Sequence, residues 1–234
     1  MVELMVVISI ILLLAGLVAG ISGHAQRKGL SARTKGEIAM LGAACENYKI
    51  DNGSYPRDRK VALSTDKGIT DLIAPMSHFL PKTTDKVVYT NASFFLYQEL
   101  TGERTPDGTG GVVYGSPDPG TKRYVKDMDP RILKVLRDPA TKAIVAAYYF
   151  QDPYGNPYGY STQAAWAQSN FDLKLKMGTA TETPSVGAAD PQVQLLGYNT
   201  GSFDLWSTAG STIQLAPTPG IAQELEWAKW IKNW

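Results

Sequence analysis

The stretch LMVVISIILLLAGLVAGI, Leu4 to Ile21, holds eighteen residues without a charge, and Ser9 is its only polar side chain. At ~1.5 Å of rise per residue, a helix of this length reaches the lower end of what spans a bilayer core, which takes ~20 residues. A helix apolar on every side must lie in lipid, in a protein core or against other helices. A cleaved secretory signal competes with this reading, and a small-residue cleavage pattern at Ala19, Ile21 and Gly23 suits it. Against it, a signal peptide carries a basic region ahead of its apolar run, whereas here Glu3 precedes the run and no Lys or Arg occurs before His24.

Glu3 has two readings. It is a headgroup-level carboxylate welcomed by the helix dipole, or it is a contact. In the second case apolar helices of several copies lie together and Glu3 neutralises the terminal ammonium of a neighbour, flanked by Val2 and Leu4. An acid at the edge of lipid needs such a partner because its charge is costly there.

Beyond Ile21 the pattern becomes amphipathic. Ile38, Leu41, Cys45 and Tyr48 draw one apolar stripe at helical spacing. Gly29, Gly36 and Gly42 each lower helix propensity by about 1 kcal/mol relative to Ala, so a local bend or melt is expected there. The expectation is one helix from about Val2 to Lys49, ended by Asp51-Asn52-Gly53 as a left-handed cap. Residues 1–22 then form a transmembrane or filament-core half, 23–52 an amphipathic half, and 53–234 a globular head.

Lys and Arg number 23 against 22 for Asp and Glu, so no global field draws the chain to nucleic acid. The single cysteine, Cys45, excludes an intramolecular disulfide and reads as a buried thiol. Twelve Tyr, 22 Gly and 14 Pro describe a loop-rich head held by aromatic packing. Within it, Asn91 to Leu100 is expected to form a short helix capped by Asn91 or Ser93 and followed by Gly102. Thr105 to Gly120 reads as exposed turns. Ile144 to Phe150 reads as a buried strand, with Tyr158 to Ser161 its hairpin partner across DPYGNP. Gly178 to Pro191 reads as a surface loop.

Four motifs in order carry a resemblance. VELMVVISIILLLAGL at Val2 to Leu17 resembles the amino-terminal segment of type IV pilins and type II secretion pseudopilins. YKIDNGSYP at Tyr48 to Pro56 resembles the helix exit of the major pseudopilin, with Tyr55 and Pro56 as its marks. DPYGNPYGY at Asp152 to Tyr160 is similar to that family's central loop through Asp152, Pro153, Gly155, Asn156 and Pro157. FDLWSTAG with Trp206, and the ending IKNW with Trp234, resemble its carboxyl-terminal loop. The resemblance implies an α+β lollipop: a long amino-terminal helix, transmembrane in its first half, packed on a small antiparallel sheet, with a carboxyl-terminal loop region. About 61–143 would be an insertion.

The same resemblance implies a function. The chain would be a structural subunit of a type IV pilus-like filament, most closely a type II secretion pseudopilin and not an enzyme. A prepilin peptidase would remove a basic leader and methylate the new amino terminus; Met1 stands where the family usually has a leucine, so the mature start would lie two residues upstream. The subunit would leave the bacterial inner membrane, head on the periplasmic side, and join a helical homopolymer through the secretion or pilus assembly machinery. Arg27, Lys28, Arg33 and Lys35 argue by the positive-inside rule for a cytoplasmic head, and the leader's own basic residues answer that conflict. Family members bind Ca²⁺ in the carboxyl-terminal loop. Here Ser211 stands where an aspartate is expected, and Ala228 to Trp230 where acids precede the ending. Without those aspartates no cofactor is expected, with calcium held by Glu224 and Glu226 as the alternative. Trp206, Trp227, Trp230 and Trp234 are expected to hold the loop by packing instead.

Two other functions compete. One is a membrane-anchored module that captures a secreted substrate or a surface glycan without polymerising. The other is an anchored hydrolase, for which the residues are poor. Only His24 and His78 are available, Ser64 to Lys67 matches no more than the bare serine-lysine spacing, and Asp127, Asp129 and Asp138 read as caps and turns.

Overall fold

The structure is a computed structural model that describes residues 2–57, 83–103, 112–113, 115, 117–126, 128–162, 165, 198–199, 201–210 and 229–233, with the backbone alone described at 15, 17–22, 24, 83–89 and 112–113. Its architecture is α+β. Helix α1 runs from Val2 to Asn52 as one element of 51 residues. Gly29, Gly36 and Gly42 do not interrupt it, so the expected local melting is absent. Burial of Ile38, Leu41 and Cys45 on one side offsets the glycine penalty in the second half. The helix stops where Gly53 turns to φ +72°, and the Gly53 amide donates to the Lys49 carbonyl at 2.8 Å. Only glycine enters that region at no cost, which makes this the expected left-handed cap. Among the described residues no helix is long and apolar enough to cross a membrane. The described side chains of the apolar run are those of Val2 to Leu14 and Gly16.

Helix α2, Thr83–Thr101, is longer than the sequence suggested. Asn91 and Ser93 are interior positions, and neither is its cap. Ser93 is buried, and its hydroxyl donates to the Phe150 carbonyl at 2.9 Å, which ties the helix to a strand. The helix ends at Gly102 as expected.

Among the described residues the strands form two three-stranded antiparallel sheets, and a 3-10 turn at Pro130–Ile132 leads into the first. The first has the order β1-β3-β2, from β1 (Val112–Val113), β2 (Leu133–Arg137) and β3 (Ile144–Phe150). Strand β1 lies inside the segment read as turns, a correction: a two-residue strand carries no periodicity to detect. Strand β3 has the expected bounds but is only partly buried, with Ala147 and Phe150 inward, opposite Val135 and Leu133. The second sheet, β4-β5-β6, joins β4 (Gly159–Ser161), β5 (Asp204–Ser207) and β6 (Ile231–Lys232).

Strands β3 and β4 fall in different sheets, so the expected hairpin is kept only next to its turn. There the Tyr158 amide donates to the Phe150 carbonyl at 3.1 Å, Gln151 bridges Pro157, and the Asp152 amide donates to the Asn156 carbonyl at 2.8 Å. Pro153 and Pro157 bring no amide donor, and the Asp152 carboxylate captures the amides of Tyr154 and Asn156. The chain accordingly leaves the first sheet and enters the second.

One core joins the parts. It takes Ile38, Leu41 and Cys45 from α1, Leu96, Tyr97 and Leu100 from α2, and Phe150, Tyr158, Tyr160 and Leu205 from the strands. Tyr97 meets Phe150 edge-on, centroids 5.4 Å apart. Helix α2 packs on both β3 and β4 and so bridges the sheets. The 61–143 span thus supplies α2 and β2 to the same core that receives α1.

Candidate assembly surface

The two halves of α1 differ in what surrounds them. From Val2 to Leu14 every large apolar side chain is exposed, from 47% at Ile8 to 75% at Val2. Glu3 stands exposed in the first turn between Val2 and Leu4. Ser9, the one polar side chain within the run, donates to the Met5 carbonyl at 2.9 Å. Its hydroxyl is satisfied within the helix, so it brings no bare donor to an apolar partner.

From Thr34 onward α1 is held by the head. Glu37 joins them: Arg33 Nε donates to its Oε1 at 2.6 Å, and the Tyr158 hydroxyl donates to its Oε2 at 2.6 Å. Burial, and then the neighbouring Glu37 carboxylate, push the Tyr158 phenol far above its ordinary range, so it stays a donor. Sequence reasoning missed Glu37. Its signals were the i, i+4 spacing from Arg33 and its place as the first acid after Glu3.

The helix exit closes on the carboxyl-terminal sheet. Tyr55 packs edge-on against Phe203 with centroids 5.0 Å apart, and its hydroxyl donates to Glu46 Oε1 at 3.0 Å. Lys49 Nζ lies 4.4 Å from the Tyr55 ring centroid. Pro56 is buried, and its carbonyl accepts the Tyr160 hydroxyl at 2.7 Å.

The Asp152 loop is built around its own carboxylate. Oδ1 accepts the amides of Tyr154 at 3.0 Å and Asn156 at 2.8 Å, and Oδ2 accepts the Ser207 hydroxyl at 2.5 Å. Burial raises the Asp152 carboxyl above the ordinary aspartate value, with those hydrogen bonds opposing it. Pro153 is half-buried, Gly155 takes φ +93°, and Asn156 Nδ2 donates to Thr208 Oγ1 at 3.2 Å. Trp206 is fully buried over Gly159 and stacks on Trp230, centroids 6.5 Å apart and planes 3° from parallel.

The structure therefore gathers Tyr55, Pro56, Asp152, Gly155, Asn156, Pro157 and Trp206 into one corner of the head. Glu3, Val2 and Leu4 lie at the far end of α1 and form a separate surface. Trp227, Trp234, Ser211, Glu224, Glu226, His78, Asp127, Ser64 to Lys67 and the Gly178 to Pro191 loop fall outside the described residues. Asp129 behaves as a cap and Asp138 as a turn residue: Asp129 Oδ1 accepts the Arg131 amide at 2.9 Å, and Asp138 Oδ1 accepts the amides of Ala140 and Thr141. Among the described residues no group of three or more His, Cys, Asp or Glu is placed to hold a metal ion. The polar groups that build the corner are spent on turns and strand contacts, and among the described residues the longest run of exposed apolar side chains is that of Val2 to Leu14 on α1. No protein-family model, curated protein or solved structure matches this chain.

Proposed function

We propose that this chain is a filament-forming subunit of the type IV pilin kind, most closely a type II secretion pseudopilin. The apolar half of α1 would anchor it in the bacterial inner membrane, with the head on the periplasmic side, and later bundle with other copies. The observation that carries the reading is the contrast within one continuous helix: exposed apolar side chains from Val2 to Leu14, and a docked, buried stripe from Ile38 to Cys45.

The energetics favour a polymer over a free rod. Burying one large aliphatic side chain is worth roughly 1.5–3 kcal/mol, so the exposed apolar side chains cannot be left in water. Moving them from lipid into a helix bundle gains little hydrophobic energy, since lipid tails are as apolar as leucine. Packing and polar pairing must decide the assembled state. Glu3 is the one charged group in this half of the helix, and pairing it with a neighbour's terminal ammonium removes an unpaired charge from the apolar layer. The axial register of the bundle would be set by that pair.

The test is electron microscopy of rods sheared from cells that overexpress the full chain, with Glu3→Ala in parallel. The expected outcome is rods from the parent, and a variant that stays in the membrane without rods. Normal rods from Glu3→Ala would overturn the register role. Single-copy particles in mild detergent, and no rods from either protein, would overturn polymerisation and favour an anchored binding module.

A further inference from the structure

Between Glu3 and Glu37 the chain carries no acidic residue, yet it places Arg27, Lys28, Arg33 and Lys35 there. Arg27, Lys28 and Lys35 are exposed, and among the described residues none of the three is in an ion pair, whereas Arg33 is engaged by Glu37. At about 100° per residue, Arg27, Lys28 and Lys35 fall within about 100° of one another around α1, so these three cations share one side of the helix.

The depth is equally specific. With the apolar run ending at Ile21, Arg27 and Lys28 lie roughly 9 to 11 Å farther along the helix axis. The headgroup layer on each side of a bilayer core is about 5–8 Å thick. Long cationic side chains reach back along the helix and place their heads in that layer. Lys35 lies farther out, and its field is weakened by salt.

We propose that Arg27 and Lys28 form a basic collar on one side of α1 that binds the phosphates of anionic phospholipids at the base of the head. The inference rests on the proposed membrane anchor. It adds that the subunit prefers anionic lipid before assembly, and that leaving the membrane means giving up these contacts.

The experiment uses the full chain in mild detergent, mixed with vesicles and followed by flotation as the detergent is removed. One set of vesicles is phosphatidylcholine alone, and the other contains about one part in four of phosphatidylglycerol, so that only surface charge differs. Each cation near such a surface favours binding by about fivefold, which allows about thirtyfold for the pair. The expected result is a preference of about fivefold or more for anionic vesicles, lost in Arg27→Gln/Lys28→Gln and at high salt. Flotation with neutral vesicles should remain unchanged. Both positions are exposed, and circular dichroism checks that the variant is folded. Equal flotation of the parent with both lipids would overturn the collar while leaving the anchor intact. A preference that survives in the variant, or disappears instead in Lys134→Gln/Arg137→Gln on the head, would also overturn it. No flotation with either lipid would overturn the anchor and the collar together.

Discussion

Replacing Gly159 by alanine puts the tightest contact of the carboxyl-terminal sheet to the test. A Cβ at Gly159 would sit 2.1 Å from Trp206 Cε2 and 2.4 Å from Cζ2, where ordinary van der Waals contact begins near 3.4 Å. The two residues face each other across the β4–β5 ladder, so the indole lies flat on the glycine backbone. Trp206 is completely buried and stacks on Trp230, which leaves it nowhere to retreat. Either the indole shifts and loses its stack, worth about 0.5–1.5 kcal/mol, or β4 separates from β5. Overpacking a filled core costs about 1–3 kcal/mol in addition. The sum is about 1.5–4.5 kcal/mol, which for a chain of this size lowers Tm by about 3–18 °C. Thermal unfolding of the full chain in mild detergent, followed by near-UV circular dichroism, reads this directly. The double variant Gly159→Ala/Trp206→Leu should recover part of the loss, because the added methyl then enters space the indole has left. A Tm for Gly159→Ala within about 1 °C of the parent would refute the packing argument. Equal losses with and without Trp206 would refute the assignment of the clash.

Tyr158→Phe removes the hydroxyl that binds Glu37 and should cost about 1.5–3 kcal/mol in chemical denaturation, as for other hydrogen bonds to a charged group; a loss under half a kcal/mol would show that α1 does not depend on that bond. Cys45 is buried, and burial raises its thiol well above the ordinary value, so maleimide should label it only after unfolding; rapid labelling of the folded chain would contradict the core. The Arg131 side chain and backbone amide hold the Asp129 carboxyl at about 2, below the ordinary 3.8. A depressed acid stabilises the fold above its unfolded value, and that contribution is lost as pH falls from about 4 to about 2. Asp129→Asn should flatten the acid limb of stability measured over that window, by a small amount because the group is exposed. Burial raises Asp152 and Asp204, with the opposite sign: each contributes most below 3.8, and the contribution is lost as pH rises through its folded value.

The range of each cause decides how much of the fold was legible in the chain. The 3, 4, 3 spacing of Ile38, Leu41, Cys45 and Tyr48 is a local signal, and the same residues meet the core. The Gly53 cap is local too. Ser93 shows where local reasoning stops. A hydroxyl beside an aromatic run reads as a cap, but in the fold it is spent on the Phe150 carbonyl, 57 positions away. Nothing within a short window of sequence announces such a partner, and α2 therefore begins well before Asn91.

The Asp152 loop failed differently, and the reason bears on what the head does. Two short apolar strands around an Asp-Pro and a Gly-Asn-Pro turn read as a hairpin because turn chemistry favours reversal. Here the same residues act as a divider. The carboxylate that would start a turn also accepts Ser207 from β5, and the pairing that leaves β3 stops at Phe150 and Tyr158, beside the prolines. One sheet becomes two, and α2 must cover the seam. The second sheet is then free to receive Tyr55 and Pro56 at the end of α1 through Phe203 and Tyr160. A divider in the middle of the chain thus fixes the exit of the first helix. Of the ties between α1 and the head, Glu37–Tyr158 and Pro56–Tyr160 lead to the segment that leaves the Asp152 loop, while Tyr48–Glu99 and Asn52–Tyr124 lead to α2 and the loop that follows it. Force along α1 is therefore shared between both sheets' supports.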